Sequence, residues 1–338
     1  MTDNTPTSEV KYDPELRRSH VIILGAGASK AAFPGGDAKG NIVPVMNELV
    51  EVANLKRFLD YRGIKELPNN FEELYSELLN RGDQEILKII EFAVWQYFVC
   101  MEMPIKPTLY DHLILSLRDK DMIATFNWDP FLIEARLRNR KVKSLPQLAF
   151  LHGNVRIGYC KEHNEYGIMA SRCPICDEYI KPTALLYPVL EKDYDFNKFI
   201  KTQWDMLGAY LESACTLTIF GYSGPASDTK AVELMKKAWG EVQKRNLEQI
   251  EIIDIKSDQE LYETWKPFIY PGHYEVRKSL YESYIGRFPR RSAEAFWAQF
   301  MDARFIDGIE YPKDASWENL RKFYSPLLEE ENTDIEES

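Results

Sequence analysis

Four residues, Cys160, His163, Cys173 and Cys176, carry the most legible chemistry in the sequence. They form a Cys-x-x-His pair and a Cys-x-x-Cys pair with nine residues between them, two knuckles whose soft donors suit a tetrahedral zinc ion. Pro174 in the second knuckle and Gly167 between the pairs suit tight turns. With all four positions filled by protein, such a zinc holds structure and does no chemistry. A loop-rich excursion of this size, 155–182, has no core of its own and depends on the metal. The competing reading is four coincidental residues in a reduced chain. Five cysteines are an odd count and speak against a disulfide framework; Cys100 and Cys215 stand among apolar neighbours and read as small core residues.

A second chemistry lies in His20 to Gly36, HVIILGAGASKAAFPGG. Val21 to Leu24 run straight into Gly25, Gly27 and Ser29, and the pattern turns helical at Lys30. A buried strand, a glycine turn and a helix start expose backbone N–H groups to a phosphate, and a nucleotide pyrophosphate is the natural occupant. Such a turn also needs glycine for its backbone alone, whatever it binds.

The elements that position these residues alternate. Short apolar runs at Met122–Phe126, Leu148–Leu151, Leu217–Phe220 and Ile250–Ile255 read as further strands. Helical patterns at 129–139, 197–213 and 228–246 separate most of them. The expectation is an α/β, Rossmann-like parallel sheet with helices on both faces. Ligands of such a sheet bind at the carboxyl ends of its strands. Those ends carry Gly25, Gly27 and Ser29; Thr125, Asn127 and Asp129; His152, Gly153 and Asn154; Gly221, Ser223 and Gly224; and Asp254. Singly, each has a plain explanation: Asp129 and Asp228 as helix caps, His152 as a satisfied turn histidine. Together they describe one polar crevice.

Between the first two strands come four helical patterns, starting at Pro44, after Asn70, at about Gln84 and at Pro107, and no second strand soon after the first helix. The expected organisation is a mobile arm at 1–18, a nucleotide-binding domain at 19–265 with a helical insertion at 45–120 and a zinc ribbon at 155–182, an aromatic-rich region at 266–328 with helices near 291–303 and 315–328, and a disordered acidic tail at 329–338. The formal net charge of −11 argues against a broad basic face for nucleic acid. Arg136, Arg138, Arg140, Lys141 and Lys143 read as a solvated helix end rather than a binding patch. No apolar run of about 18 residues and no apolar leader are present, so the chain is expected in the cytoplasm, away from membranes.

Gly-Ala-Gly-x-Ser, then Thr-x-Asn-x-Asp, then His-Gly, a zinc ribbon and a Gly-x-Ser turn: in this order the motifs resemble the sirtuin family, and most closely its bacterial NAD-consuming members in antiphage defence. The resemblance covers Ser19 to Ile255 without the helical insertion. It implies that Gly25, Ala26, Gly27 and Ser29 hold the pyrophosphate and adjoining ribose of NAD+, and that Asn127 and Asp129 frame the nicotinamide end. It makes His152 the general base, places Gly221 and Ser223 along the adenosine half, and puts Asp254 near its ribose. The zinc ligands fall on Cys160, His163, Cys173 and Cys176, where a typical sirtuin has four cysteines.

Protein-deacylating sirtuins follow the first motif with Gly-Ile-Pro-x-Phe-Arg and the ribbon with Phe-Gly-Glu. Here those places read AFPGGDAKG and KPTALLYPVLEKDYDF. The NAD end is kept and the acyl-lysine end is not, which favours water as acceptor and an NAD+ glycohydrolase. The alternatives are an NAD-dependent deacylase, which would need an acylated peptide, and a scaffold that binds NAD or ADP-ribose without turnover, which would need neither Asn127 nor His152. A dehydrogenase fits worst, because no acidic residue ends a second strand about 20 positions after the glycines. A hydrolase of NAD+ must be restrained, so the resemblance also implies a homo-oligomer and an activating partner, an ATPase or a nucleic-acid-sensing subunit.

Overall fold

The computed structural model describes residues 19–65, 68–163, 165–188, 197–313 and 315–336. The expected arm at 1–18 lies outside them, as does 189–196 of the segment after the ribbon.

Strand β1 (Ser19–Leu24) is buried at every residue because Val21 to Leu24 offer no polar face. On one side it pairs with β2 (Met122–Thr125), which pairs with β3 (Gln147–Phe150). On the other side come β7 (Ala214–Phe220), β8 (Gln249–Ile253) and β9 (Tyr274–Arg277), and every pairing is parallel. The order β3-β2-β1-β7-β8-β9 therefore reverses direction at β1 and β7, the switch point at which such sheets open a crevice.

Helices cover both faces. Ser19 Oγ bonds to the Tyr210 carbonyl of α8 (Lys198–Ser213), and the next residue, His20, bonds through Nδ1 to Ser292 Oγ of α12 (Ser292–Phe300) at 2.7 Å. Successive residues of a strand point to opposite faces, so α8 and α12 lie on opposite sides. α1 (Ala26–Ala32) follows β1, and α9 (Thr229–Trp239) and α10 (Asp258–Trp265) flank β8 in the chain.

The insertion contains α2 (Met46–Val52), α3 (Leu55–Tyr61), α4 (Phe71–Arg81) and α5 (Gln84–Val99). Asn70 caps α4 through its side chain, accepting from the amides of Glu72 and Glu73. Leu49, Phe71, Leu78 and Ile90 join the same core as the sheet, so the insertion is no separate unit. α6 (Leu109–Leu115), placed in the insertion from sequence, packs instead on α1 and on α7 (Phe131–Arg138).

Several expectations need correction. The boundary at 265 cuts the sheet, because β9 is its sixth strand; Tyr274-Glu275-Val276-Arg277 is half-exposed at the edge, so its apolar signal is weak. Ile255 lies beyond β8 and is exposed. The ribbon at 155–182 stands as expected, its loops tied by three short strands: β4 (Ile157–Tyr159) pairs antiparallel with β5 (Tyr166–Ile168) and β6 (Lys181–Pro182). Cys215 is buried as expected, whereas Cys100 is exposed just past α5, its Sγ accepting from Gln96 Nε2. Arg138 of the basic cluster is no solvated end: it pairs with the buried Asp111 and donates to the Pro104 carbonyl at 2.7 Å.

The acidic tail is also corrected, for α13 (Trp317–Glu336) runs through 329–336. Arg290 supplies the reason. It is fully buried, donates to the carbonyls of Leu115, Leu117 and Ser144, and meets both Glu331 oxygens at 2.5 and 2.7 Å. A buried guanidinium requires such a set of acceptors, and Glu331 completes it. α11 (Tyr284–Arg287) and α12 pack Tyr284, Phe288 and Phe296 around Cys215. Among the described residues no helix is long and apolar enough to cross a membrane.

Candidate functional site

At the switch point two turns interlock. Gly25 N–H donates to the Phe220 carbonyl and Gly27 N–H to the Gly221 carbonyl, each at 3.0 Å. A Cβ on Gly25 would sit 2.4 Å from the Gly221 oxygen, and one on Gly221 would sit 2.3 Å from the Ala28 nitrogen. Gly221 also holds a left-handed φ of 59°. The glycines therefore serve a backbone contact closer than any side chain permits. The sequence suggested amides facing a phosphate, but in this arrangement those of Gly25 and Gly27 are committed to the β7 turn. Ala26 is half-buried and Ser223 is exposed.

Beside this contact lies a buried polar network. Ser29 Oγ donates to Asp129 Oδ2 at 2.6 Å and lies 2.6 Å from the Tyr110 hydroxyl. Asn127 Nδ2 donates to Ser29 Oγ and to the Gly25 carbonyl, both at 2.8 Å. With Ser29's hydrogen on Asp129, the Tyr110 hydroxyl and the Asn127 amide both donate to Ser29 Oγ. Both amide hydrogens of Asn127 are thus used, and what it offers an incoming molecule is its carbonyl oxygen. Burial pushes the Asp129 carboxyl up to about 6, against the bonds it accepts from Ser29 and from the Phe131 amide. Burial, then the charge of Asp129, raises the Tyr110 phenol well above its ordinary value, so it stays a donor.

His152 lies one strand over, after β3. Its ring meets the Phe126 ring edge-on at 4.8 Å, and Nε2 is 3.6 Å from Asp228 Oδ1. Asp228 Oδ2 accepts from the Tyr222 hydroxyl at 3.0 Å, and the Tyr222 ring stacks on Phe126 at 4.1 Å and 5°. Asn154 Nδ2 donates to the Asp129 carbonyl at 2.6 Å, linking the β3 end to the β2 end.

Of the residues singled out from sequence, the fold brings Gly25, Gly27, Ser29, Asn127, Asp129 and Gly221 together around one network, with His152 on the adjacent strand end. Asp254 is not part of it: its Oδ1 accepts from the Lys256 amide after β8, beyond β7. Tyr110 was missed because its partner Ser29 is 81 positions away. Tyr222 lies in the FGYSGPASD turn, where Asp228 reads from sequence as a helix cap and nothing local shows its pairing with His152.

Cys160, His163, Cys173 and Cys176 place their ligand atoms within 4.8 Å of one another. Cys160 Sγ is 3.6 Å from His163 Nδ1 and 3.7 Å from Cys176 Sγ, and Cys173 Sγ is 3.8 Å from His163 Nδ1. Tetrahedral zinc with ordinary bond lengths sets edges of about 3.6 Å for S···N and about 3.8 Å for S···S. The quartet fits that ion. The backbone and ring of His163 draw the Cys160 thiol down to about 6, so a thiolate ligand is at hand. The segment that follows the ribbon grips the β3 end: Leu186 N–H, just past β6, donates to the His152 carbonyl at 2.9 Å.

No protein-family model matches the chain, and no curated protein matches it. Among solved structures it is similar to a Sir2 homologue in complex with NAD, at 16% identity and TM-score 0.36 over 87% of this chain and 96% of that one. It is also similar to a mutant Sir2 homologue with ADP-ribose, at 14% identity and TM-score 0.38 over 87% and 100%. Sir2 bound to acetylated peptide gives 14% and 0.34 over 86% and 96%. Likeness at this level assigns no activity.

Proposed function

We propose that this chain is a sirtuin-like NAD+ glycohydrolase that transfers the ADP-ribosyl group to water and releases nicotinamide. The observation that carries the proposal is the network at the switch point: Asn127, Ser29, Asp129 and Tyr110 are ordered around one hydroxyl, with His152 at the neighbouring strand end. A turn that only binds nucleotide needs no such set.

In this reading Ala26, Ser29 and the Gly25–Gly27 turn lie along the pyrophosphate and adjoining ribose, and Asp129, which accepts from Ser29, frames the nicotinamide end with Asn127. Gly221 and Ser223 follow the adenosine half, with Asp254 at its ribose. Breaking the nicotinamide–ribose bond passes through an oxocarbenium-like state, which a fixed ribose and a placed water favour. The Asn127 carbonyl oxygen accepts a hydrogen from that water. His152 takes the proton that water or the ribose hydroxyl gives up, a contribution of about 10²- to 10⁴-fold. Cys160, His163, Cys173 and Cys176 would hold a structural zinc that ties the ribbon together, and the segment after it holds the backbone of His152 through Leu186. In a cell the activity would deplete NAD+ during phage infection, in a homo-oligomer released by a partner protein.

The test is nicotinamide release from NAD+ by the purified chain, with and without an acetyl-lysine peptide, beside Asn127→Ala and His152→Ala. Peptide-independent release, cut at least roughly 100-fold by either substitution, is expected. Release only with peptide would make the chain a deacylase. Bound but uncleaved NAD+ in every condition would leave a binding scaffold beside an enzyme that awaits its partner.

A further inference from the structure

Asp228 stands where a helix cap is expected. It is the residue before α9, yet its side chain makes no capping bond to that helix. Aspartate at this position ordinarily accepts from the second or third amide of the helix, and turning away forgoes about 1 kcal/mol of helix stability. Its carboxylate, only 4% exposed, is directed elsewhere: Oδ2 to the Tyr222 hydroxyl at 3.0 Å, and Oδ1 to His152 Nε2 at 3.6 Å. Tyr222 is itself held, stacked flat on Phe126 at 4.1 Å and packed on Trp265 at 5.8 Å. A carboxylate fixed by a phenol, lying in ion-pair range of a buried imidazole, is an arrangement that orients the ring and favours its charged form.

We propose that Asp228 is the positioning residue of His152: its carboxylate keeps the proton on Nε2, leaves Nδ1 as the acceptor, and stabilises the imidazolium that forms when Nδ1 takes a proton. This role rests on the hydrolase reading for its purpose, although the pairing itself does not. In the step concerned, a proton leaves the attacking water or the ribose hydroxyl for Nδ1, the oxygen keeps the electron pair, and Nε2 keeps its hydrogen. The positive charge then faces Asp228. Among the described residues, the contacts that surround the ring are these. From α9 the titratable group is Asp228, and behind it the Tyr222 phenol. From β2 the ring meets the uncharged Phe126, and the segment after β6 gives the Leu186 amide to its backbone.

The decisive experiment is nitrogen-15 NMR of the imidazoles in the unliganded protein, wild type and Asp228→Asn, followed over pH 5 to 9. His152 is assigned by its loss in His152→Ala. Asparagine keeps an acceptor for Tyr222 and removes the charge, so the fold is retained while the pairing is lost. The wild-type ring is expected as the Nε2–H tautomer, and the variant's titration midpoint should fall by about one pH unit. The acid limb of kcat against pH for nicotinamide release should move down by the same interval, with KM within about twofold and kcat roughly tenfold lower or more. An Nδ1–H tautomer in the wild type would overturn the proposal, a measurement that needs no variant to fold. An unmoved midpoint in a folded Asp228→Asn would overturn it equally. If the purified wild type releases no nicotinamide, the kinetic arm bears on the hydrolase reading alone, and the NMR arm still decides whether Asp228 governs His152.

Discussion

Glu251 offers the sharpest quantitative test of the fold. It sits on β8 opposite Thr218 of β7, with 3% of its surface exposed. Oε1 accepts from the Tyr284 amide at 3.1 Å, Oε2 accepts from Thr218 Oγ1 at 3.3 Å, and Arg277 Nε is 3.7 Å away. Burial outweighs these partners and moves the carboxyl from 4.5 up to about 7. The sign follows from proton binding. Between those values the native state holds a proton that the unfolded chain has released, so the stability contributed is complete below 4.5 and is lost as pH rises through about 7. The full interval corresponds to about 3 kcal/mol, most of which falls between pH 5 and pH 8. Glu251→Gln keeps the acceptor for Tyr284 and gives Thr218 a donor, while removing the titration. Urea unfolding of both proteins at pH 5 and pH 8 isolates the effect. Other titrating groups, such as Asp129 pushed up to about 6 and His20 pulled by burial down to about 3, are common to both. The variant should gain about 2 to 3 kcal/mol on the wild type between the two pH values. An advantage that is the same at both, within about 0.5 kcal/mol, would refute the reasoning.

Two further outcomes are expected. Chelation, or Cys173→Ser, should release one zinc per chain and erase hydrogen-exchange protection at 157–182 while leaving the parallel sheet protected; unchanged exchange after metal loss would deny the ion its structural role. Gly221→Ala should cost roughly 3 kcal/mol or more in urea unfolding, because the left-handed backbone and the contact with Ala28 both oppose a Cβ; a loss under about 1 kcal/mol would mean the two turns separate readily.

The parallel sheet was legible because Val21–Leu24, Met122–Thr125 and Ala214–Phe220 are apolar on both faces, a signal that needs no knowledge of partners. The zinc quartet was legible for a similar reason, since its spacing is local. β9 was not, because an edge strand bearing Glu275 and Arg277 looks like a loop. The glycine turn was read for its amides, whereas its geometry is set by Gly221, nearly two hundred residues on, and no local pattern shows that two turns will touch. The same holds for Tyr110 and Asp228, whose partners are chosen by the sheet order. Glu331 looked like part of a disordered tail because the charge that orders it, Arg290, is 41 positions away.

The strand order has a consequence in time. β1 is made first and lies at the centre, paired at Val21 with Met122 on one side and with Leu217 on the other. At ribosomal rates of about 5–20 residues per second, the second partner emerges roughly 10–40 s after the first strand. Throughout that interval an apolar strand has an unpaired edge, and the same edge on a neighbouring nascent chain is its readiest match. Slower synthesis prolongs the exposure, and a chaperone that holds the first strand shortens it. The time for which β1 is open to other nascent chains is thus set by how long it waits for β7.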